Sequence, residues 1–269
     1  MQRKSTFSAK YLVAGIALCL ALLFAGALSQ AKDKSFYFVQ ITDTHLGYSD
    51  HEERLTQVVQ AINKLPFQIE FVVHTGDITT DKIEDGPTLA GALSILKLLK
   101  PPIHYVAGNH DILRKKLDST TMAFKNNFGD LISQKEYGGV VFLFVYTEPF
   151  GSGFSLPSYD PLAELGKRLK QSAGKPVVVF HHSPSVGDFY SNEMHPGWER
   201  EKEWVTLLNR YNVKGVIAGH FHRDELHWLG KVPLYVCPPV AGHWGRQASF
   251  RIYEYKDGKI GYRTQYIPS

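Results

Sequence analysis

Residues 36–77 read FYFVQITDTHLGYSDHEERLTQVVQAINKLPFQIEFVVHTGD, and the pattern within them decides the fold. An apolar, β-prone run covers Phe36–Thr42. The segment His51–Leu65 then places apolar side chains at helical spacing, and a second apolar run follows over Glu70–His74. The order strand, helix, strand predicts a βαβ unit whose two strands are parallel.

The same alternation continues through the rest of the chain. Further predicted helices cover Thr88–Leu99, Leu162–Gln171 and Glu199–Arg210, and further predicted strands cover Ile103–Val106, Val140–Tyr146, Pro176–Phe180 and Val213–Ala218. After Glu225 only short β-like runs remain, which predicts a second sheet with antiparallel character. No linker composition interrupts this pattern, so the sequence predicts an α/β protein with one domain over residues 32–269.

Five fragments rich in histidine, carboxylate and amide groups each follow a predicted strand. They are Asp43-Thr44-His45, Gly76-Asp77, Gly108-Asn109-His110-Asp111, His181-His182-Ser183-Pro184 and Gly219-His220-Phe221-His222. Ligands of open α/β sheets gather at the carboxyl ends of strands, so these side chains are expected to converge. Mixed nitrogen and oxygen donors suit Zn, Fe, Mn or Co better than Ca or Mg.

The spacing within the fragments suggests how ions are shared. Asp43 and His45 are two residues apart, and in an extended chain both side chains project to the same side. His220 and His222 repeat this spacing and can divide between two ions. The carboxylate of Asp77 has two oxygens and can bridge a pair of cations. The sequence therefore predicts a dinuclear site.

This ordered set resembles the calcineurin-like metallophosphoesterase superfamily, whose pattern is D-x-H, G-D, G-N-H-[DE], H and G-H-x-H. The resemblance covers nearly all of the chain after residue 34. It implies a four-layer αββα sandwich, in which helices flank two central mixed β-sheets and a dinuclear metal centre lies at the carboxyl ends of the strands. It also implies two divalent or trivalent transition-metal ions, Mn, Fe or Zn, as cofactors. Class III cyclic nucleotide phosphodiesterases and purple-acid-phosphatase-like proteins are similar, although Ile78-Thr79-Thr80 replaces the tyrosine that purple acid phosphatases carry soon after the bridging Asp.

The resemblance assigns roles to individual residues. The first ion would be held by Asp43, His45 and His222, the second by Asn109, His181 and His220, and Asp77 would bridge them. Either His181 or His182 fits the fourth fragment, and His181 is preferred because it ends the predicted strand. His110 would protonate the leaving group, with Asp111 placed in sequence to orient its imidazole. His182 and Arg246 are candidate contacts to substrate, since Arg246 can pair with a phosphate.

These roles predict a hydrolase of phosphomonoesters or phosphodiesters. The two ions would lower the pKa of a shared water, so that hydroxide attacks phosphorus opposite the leaving alkoxide. The alternative is a non-catalytic metal-binding or interaction module on the same scaffold, because fold resemblance alone does not establish chemistry.

Residues 1–31 have the pattern of a targeting segment. The basic residues Arg3, Lys4 and Lys10 precede an uncharged apolar run over Tyr11–Leu28, and small residues follow it. This predicts a cleaved signal peptide or an uncleaved membrane anchor. Either one exports the rest of the chain, to the periplasm or outside the cell or anchored facing outward, and limits membrane contact to this segment.

The charge of the remaining chain argues against a nucleic-acid partner. The formal net charge is +4, but without residues 1–31 the chain has 27 basic against 26 acidic side chains. A nearly balanced surface lacks the basic excess that binding to a phosphate backbone requires. The expected partner is therefore a small phosphoester substrate.

Overall fold

The computed structural model describes residues 35–48, 50–152, 154–187 and 197–268. The predicted targeting segment, residues 1–31, lies outside this part of the chain. Within the described ranges, no helix combines the length and the hydropathy that a membrane span needs.

Six α-helices and eleven strands build the described domain. The helices are α1 (His51–Asn63), α2 (Gly86–Leu96), α3 (Leu117–Phe128), α4 (Glu148–Ser152), α5 (Pro161–Gln171) and α6 (Glu201–Arg210). The strands are β1 (Phe36–Ile41), β2 (Ile69–His74), β3 (Ile103–Tyr105), β4 (Ile132–Tyr137), β5 (Val140–Val145), β6 (Val177–Phe180), β7 (Val213–Ala218), β8 (Glu225–Leu229), β9 (Val232–Val236), β10 (Ser249–Lys256) and β11 (Lys259–Tyr266). All the helices and strands predicted from the sequence are present, with ends displaced by up to three residues, whereas α3, α4 and β4 were not predicted.

The strands form two mixed sheets. The first has the order β11-β10-β1-β2-β3, and the second has the order β4-β5-β6-β7-β9-β8. Strands β1, β2 and β3 are parallel, as are β5, β6, β7 and β9. The expectation that the last strands form a sheet of their own is wrong. Instead, β10 and β11 extend the first sheet, and β8 and β9 extend the second.

Three apolar layers hold the domain together. Aromatic side chains of both sheets form the layer between them, where Phe38 of the first sheet lies edge-on to Phe142 and Phe180 of the second at ring centroid distances of 5.4 and 5.9 Å. The outer face of the first sheet packs on helices α1, α2 and α3. The outer face of the second packs on α5 and α6, where Trp204 is fully buried. This confirms the four-layer αββα arrangement.

The layer between the sheets contains a histidine that the fold keeps neutral. His104 packs on Phe71 and Phe144, and its Nε2 lies 2.9 Å from Tyr137 Oη. Burial lowers the pKa of His104 to about 4, with a smaller contribution from Lys135. The His104 imidazole therefore takes up a proton near pH 6.5 in the unfolded chain, but only near pH 4 in the folded chain.

Stability should accordingly be lost as pH falls from about 6.5 towards 4, and replacing His104 should reduce that loss. Because the ring is partly exposed, we expect His104→Gln to recover only about 1–2 kcal/mol of the acid-induced loss. Urea unfolding of wild type and variant at pH 7.5 and 4.5 measures this difference. Equal acid sensitivity of both proteins would contradict it.

Candidate metal centre

The five polar fragments converge where the carboxyl ends of both sheets meet. Backbone hydrogen bonds join the loops directly: Asp43 N–H donates to the Gly76 carbonyl, and Gly219 N–H donates to the His182 carbonyl, each at 3.0 Å. Between the sheets, Gln40 on β1 donates a side-chain hydrogen bond to the Ala218 carbonyl at the end of β7. These hydrogen bonds fix the positions of the loops relative to one another, and the side chains of the loops face a common space.

Five candidate ligands have left-handed backbone conformations. The φ angles are 51° for Asp43, 45° for His45, 55° for Asp77, 69° for His220 and 54° for His222. The expectation that Asp43 and His45 share a side because the chain is extended is therefore wrong. Each left-handed non-glycine residue costs about 1–3 kcal/mol, and such strain clusters at functional sites.

Two glycines make room for the carboxylates. A Cβ atom on Gly108 would lie 2.1 Å from Asp77 Oδ1, and one on Gly219 would lie 2.6 Å from Asp43 Oδ2. Contacts this short are repulsive, so any side chain at these positions would push a carboxylate aside. The glycines of the G-N-H-D and G-H-x-H fragments are required for this close approach.

The first candidate ligand set consists of Asp43, His45 and His222, which the structure brings together, and all three are buried. His222 Nε2 lies 3.2 Å from His45 Nε2 and 3.1 Å from Asp43 Oδ1. Two imidazole nitrogens and a carboxylate oxygen thus point at one location. Zinc and other transition metals take donors of these types.

The second ligand set consists of Asp77, His182 and His220. His182 Nε2 lies 3.0 Å from Asp77 Oδ2 and 3.3 Å from His220 Nδ1. Asp77 Oδ2 also lies 3.6 Å from His45 Nε2 of the first set. Asp77 is therefore placed between the two sets, where a bridging carboxylate is needed.

Asn109 supplies an independent test of whether these residues suit a bound cation. Its Oδ1 atom is buried and has no hydrogen-bond partner among the described residues. A buried carbonyl oxygen without a partner is costly, and a bound cation would satisfy it. Asn109 lies beside His110 in the loop after β3, and its role as a ligand of the second ion stays a prediction.

The structure places His182 in the cluster instead of His181, which corrects the sequence assignment. His182 Nδ1 lies 2.8 Å from the Thr75 carbonyl, which can only accept a hydrogen bond, so this nitrogen carries the proton and Nε2 is left free for a cation. The ring of His181 packs instead against Trp198 and Trp204, at centroid distances of 5.2 and 5.5 Å.

The adjacent histidines provide a matched pair of variants. We expect His182→Ala to weaken the apparent affinity for one metal ion by about 10- to 100-fold, because the substitution removes a donor of the second set. His181→Ala should retain both ions but destabilise the fold, since it leaves a cavity beside two tryptophans. Metal analysis and thermal unfolding of both proteins measure the two effects. If His182→Ala kept its full metal content and His181→Ala lost metal, His181 would be the ligand, as the sequence predicts.

The charges of the site favour a cation. Burial raises the pKa of Asp43, but His222 and His182 outweigh it and hold the pKa well below its ordinary value. Burial alone would also raise the pKa of Asp77, yet His182 and His45 hold it low. Burial lowers the pKa of His45 to about 4. Near neutral pH the site therefore presents two carboxylates and a neutral His45 imidazole. Burial lowers the pKa of His182, but the carboxylates of Asp77 and Asp43 outweigh it and raise that pKa well above its ordinary value, so a cation that binds His182 Nε2 would displace a proton.

His110 forms a third group of possible ligands with His45 and Asp77, which belong to the first and second sets. The residue that orients His110 differs from the prediction. The Nδ1 atom of His110 is 2.9 Å from Asp81 Oδ1, and the backbone N–H of His110 donates to Asp77 Oδ1. Burial lowers the pKa of His110, but Asp77 and the hydrogen bond to Asp81 outweigh it and raise the pKa above its ordinary value.

The prediction that Asp111 orients His110 is wrong. The Asp111 carboxylate is buried and accepts hydrogen bonds from three backbone N–H groups, those of Ile78, Thr79 and Gly108, at 2.9–3.2 Å. It therefore ties the loop that carries Asp77 to the loop that carries Asn109. Its role is to position backbone.

Arg246 is not brought into either ligand set. It lines a surface depression together with Asp50, Glu53 and Arg54, and its backbone carbonyl accepts a hydrogen bond from Arg54 Nη1. His182, the other predicted substrate contact, belongs to the second ligand set instead.

His51 has a positioning role that the sequence did not reveal. Its Nδ1 is 2.7 Å from the His45 carbonyl, and its Nε2 accepts a hydrogen bond from Gly242 N–H. It therefore holds the loop of His45 against a second loop. No neighbouring motif signals this role, because both partners lie elsewhere in the chain.

Proteins of related sequence include enzymes of two kinds. This chain is 29% identical over 222 residues to a serine/threonine-protein phosphatase CPPED1 of Danio rerio, with 70% of this chain and 71% of the relative covered. It is 26% identical over 219 residues to a probable cyclic nucleotide phosphodiesterase of Colwellia psychrerythraea, with 76% and 80% covered. Both names describe hydrolysis of phosphate esters.

The fold is also similar to solved structures. A dimetal phosphatase from Danio rerio superposes with a TM-score of 0.61 at 14% identity, covering 87% of this chain and 99% of that one. The sequence model for the calcineurin-like phosphoesterase family matches residues 36–224, which contain both ligand sets and His110. By its sequence, its two sheets and its candidate metal ligands, this chain belongs to the calcineurin-like phosphoesterase family.

Proposed function

We propose that this protein hydrolyses small phosphoesters with two transition-metal ions held by the two ligand sets described above. The observation that carries the proposal is the position of Asp77, whose carboxylate contacts His182 of the second set and faces His45 of the first. A shared carboxylate at the centre of two donor sets is the arrangement that two adjacent cations need. Mn, Fe and Zn all accept these donors.

Two ions held by these residues would supply a bound water of lowered pKa and would neutralise the phosphate oxygens. The side chains of the protein do the remaining work. Asn109 presents its amide oxygen from the loop after β3. His110, which Asp81 orients, lies where it can deliver a proton to the departing alkoxide. These positions support hydrolysis of monoesters and of diesters equally.

A reconstitution experiment tests the proposal. The protein is stripped with a chelator, restored with Mn, Zn or Fe, and assayed on an aryl phosphomonoester and an aryl phosphodiester. We expect hydrolysis of at least one ester, dependent on metal and lost again on chelation. No hydrolysis of either ester with two ions bound per chain would favour a non-catalytic metal-binding or interaction module.

We further propose that the protein is exported, with residues 1–31 acting as a signal peptide. The basic flank and apolar run described above support this, and the balanced charge of the remaining chain suits a small phosphoester as partner. N-terminal sequencing of the exported protein tests it. A chain that starts at Met1 would indicate a membrane anchor, and protein confined to the cytoplasm would overturn export altogether.

A further inference from the structure

We propose that Tyr48, His243 and Trp244, which we call the aromatic rim, bind a planar aromatic ring carried by the leaving group of the substrate. A nucleobase is the chemical class that fits best. This proposal rests on the proposed phosphoester hydrolysis and specifies which esters the site prefers.

Trp244 is presented to solvent in an unfavourable conformation. Its side chain is 80% exposed, and its backbone is left-handed, with φ 55° and ψ 32°. A bulky residue with positive φ is rare, and an exposed indole gains little from folding. Strain of this kind, kept at a position that contributes nothing to the core, is characteristic of a binding residue.

The loop that carries Trp244 is held firmly at both ends. Gly242 N–H donates to His51 Nε2 at 3.3 Å, and Arg54 Nη1 donates to the Arg246 carbonyl at 3.0 Å. Both His51 and Arg54 belong to α1, so a helix supports the loop. A hydrogen bond from Gly245 N–H to the Gly242 carbonyl closes the turn. The rim is therefore preorganised, which reduces the entropy lost on binding.

The rim borders the first ligand set. The Trp244 ring lies 5.2 Å from the ring of His222, and His243 lies 4.9 Å from His45, measured between ring centroids. Tyr48 is 50% exposed, and its ring centroid lies 5.2 Å from that of His243. A phosphate held by the candidate ligands therefore has its ester substituent within reach of these rings.

The chemistry of the rim favours a flat aromatic group. Indole and phenol rings offer π faces, on which nucleobases stack without regard to base identity. The ammonium group of Lys82 and the guanidinium group of Arg54 lie against the backbone of Gly47 and Gly242, next to the rim, so the rim's own contribution is its aromatic rings. A phosphate ester of a sugar without a base would leave both rings in water.

Two substrates with the same scissile bond test this directly. Adenosine 5′-monophosphate and ribose 5-phosphate both release a primary alkoxide and differ only at the base. For the metal-loaded wild type we expect kcat/KM to favour the adenosine ester by about 10- to 100-fold. Trp244→Ala should bring the ratio close to one, and Trp244→Phe should restore part of it. Trp228→Ala is the matched control, since this tryptophan is 63% exposed but lies on the edge strand β8.

The outcomes separate this proposal from the proposed function. Two results would contradict base binding by the rim without contradicting phosphoester hydrolysis. One is equal kcat/KM for both esters in the wild type, and the other is an unchanged ratio of the two kcat/KM values in Trp244→Ala. If neither monoester is hydrolysed, binding of their non-hydrolysable methylene phosphonate analogues decides. Tighter binding of the adenosine analogue that is lost in Trp244→Ala supports the rim. Equal or absent binding overturns it.

Discussion

Replacing Asp77 with asparagine is expected to lower kcat/KM for phosphoester hydrolysis by about a thousandfold or more, the largest effect of any single substitution in this protein. The Asp77 carboxylate lies 3.0 Å from His182 Nε2 and 3.6 Å from His45 Nε2, so both ligand sets depend on it. Asparagine has nearly the same shape but lacks the charge and replaces one oxygen with an NH₂ group. Metal analysis should show fewer than two ions per chain.

The control for this prediction is Asp85→Asn. Asp85 is exposed and caps α2 by accepting a hydrogen bond from Thr88 N–H, and asparagine caps helices equally well. The variant should keep two ions and full activity, because the same chemical change is made away from the ligand sets. An Asp77→Asn protein that binds two ions and retains a tenth of the wild-type activity would show that the carboxylate is not shared.

Hydrophobic patterning predicted most of the fold because the central strands of the two sheets are buried on both faces. Every residue of β5 is buried, so the sequence reads as a continuous apolar run. The pattern failed at β4, an edge strand whose sequence Ile132–Tyr137 is mostly polar and partly exposed. It also failed at α3, which buries only Thr120, Phe124 and Phe128. Such weakly patterned elements depend on contacts that are distant in sequence.

The sequence does not decide whether His181 or His182 faces the metal site. Side chains alternate along β6: Val177 and Val179 face the helices, while Val178 and Phe180 face the other sheet. His181 continues the first series and lies among tryptophans. All four preceding residues are apolar, so the sequence does not distinguish the two faces. The identity of the ligand follows only once the faces are assigned.

The Asp81–His110 pair was invisible in the sequence for a different reason. The two residues are 29 positions apart, and Asp81 belongs to no recognisable fragment. Asp111 is adjacent to His110 in the chain, but its carboxylate oxygens accept hydrogen bonds from backbone N–H groups. Local sequence thus predicts which residue types gather at strand ends, and tertiary structure decides which of them touch.

Replacing His110 with glutamine is expected to lower kcat by about 10²- to 10⁴-fold for an alkyl phosphoester, whose leaving alkoxide needs a proton. The loss should be much smaller for a nitrophenyl ester, because its leaving group departs without protonation. Parallel assays on the two esters measure this difference. The variant should retain two ions per chain, since both ligand sets keep all three of their own members.

Asp81→Ala tests whether the pair acts as a unit. Removing this carboxylate leaves the imidazole in place but frees its Nδ1 from a 2.9 Å hydrogen bond, so we expect a loss of about tenfold on the alkyl ester alone. Because Asp81 acts only through His110, the double variant should be no slower than His110→Gln. Additive losses would give Asp81 a separate role. An ion missing from His110→Gln would make His110 a ligand, which its ring contact with His45 at 5.0 Å makes a meaningful alternative.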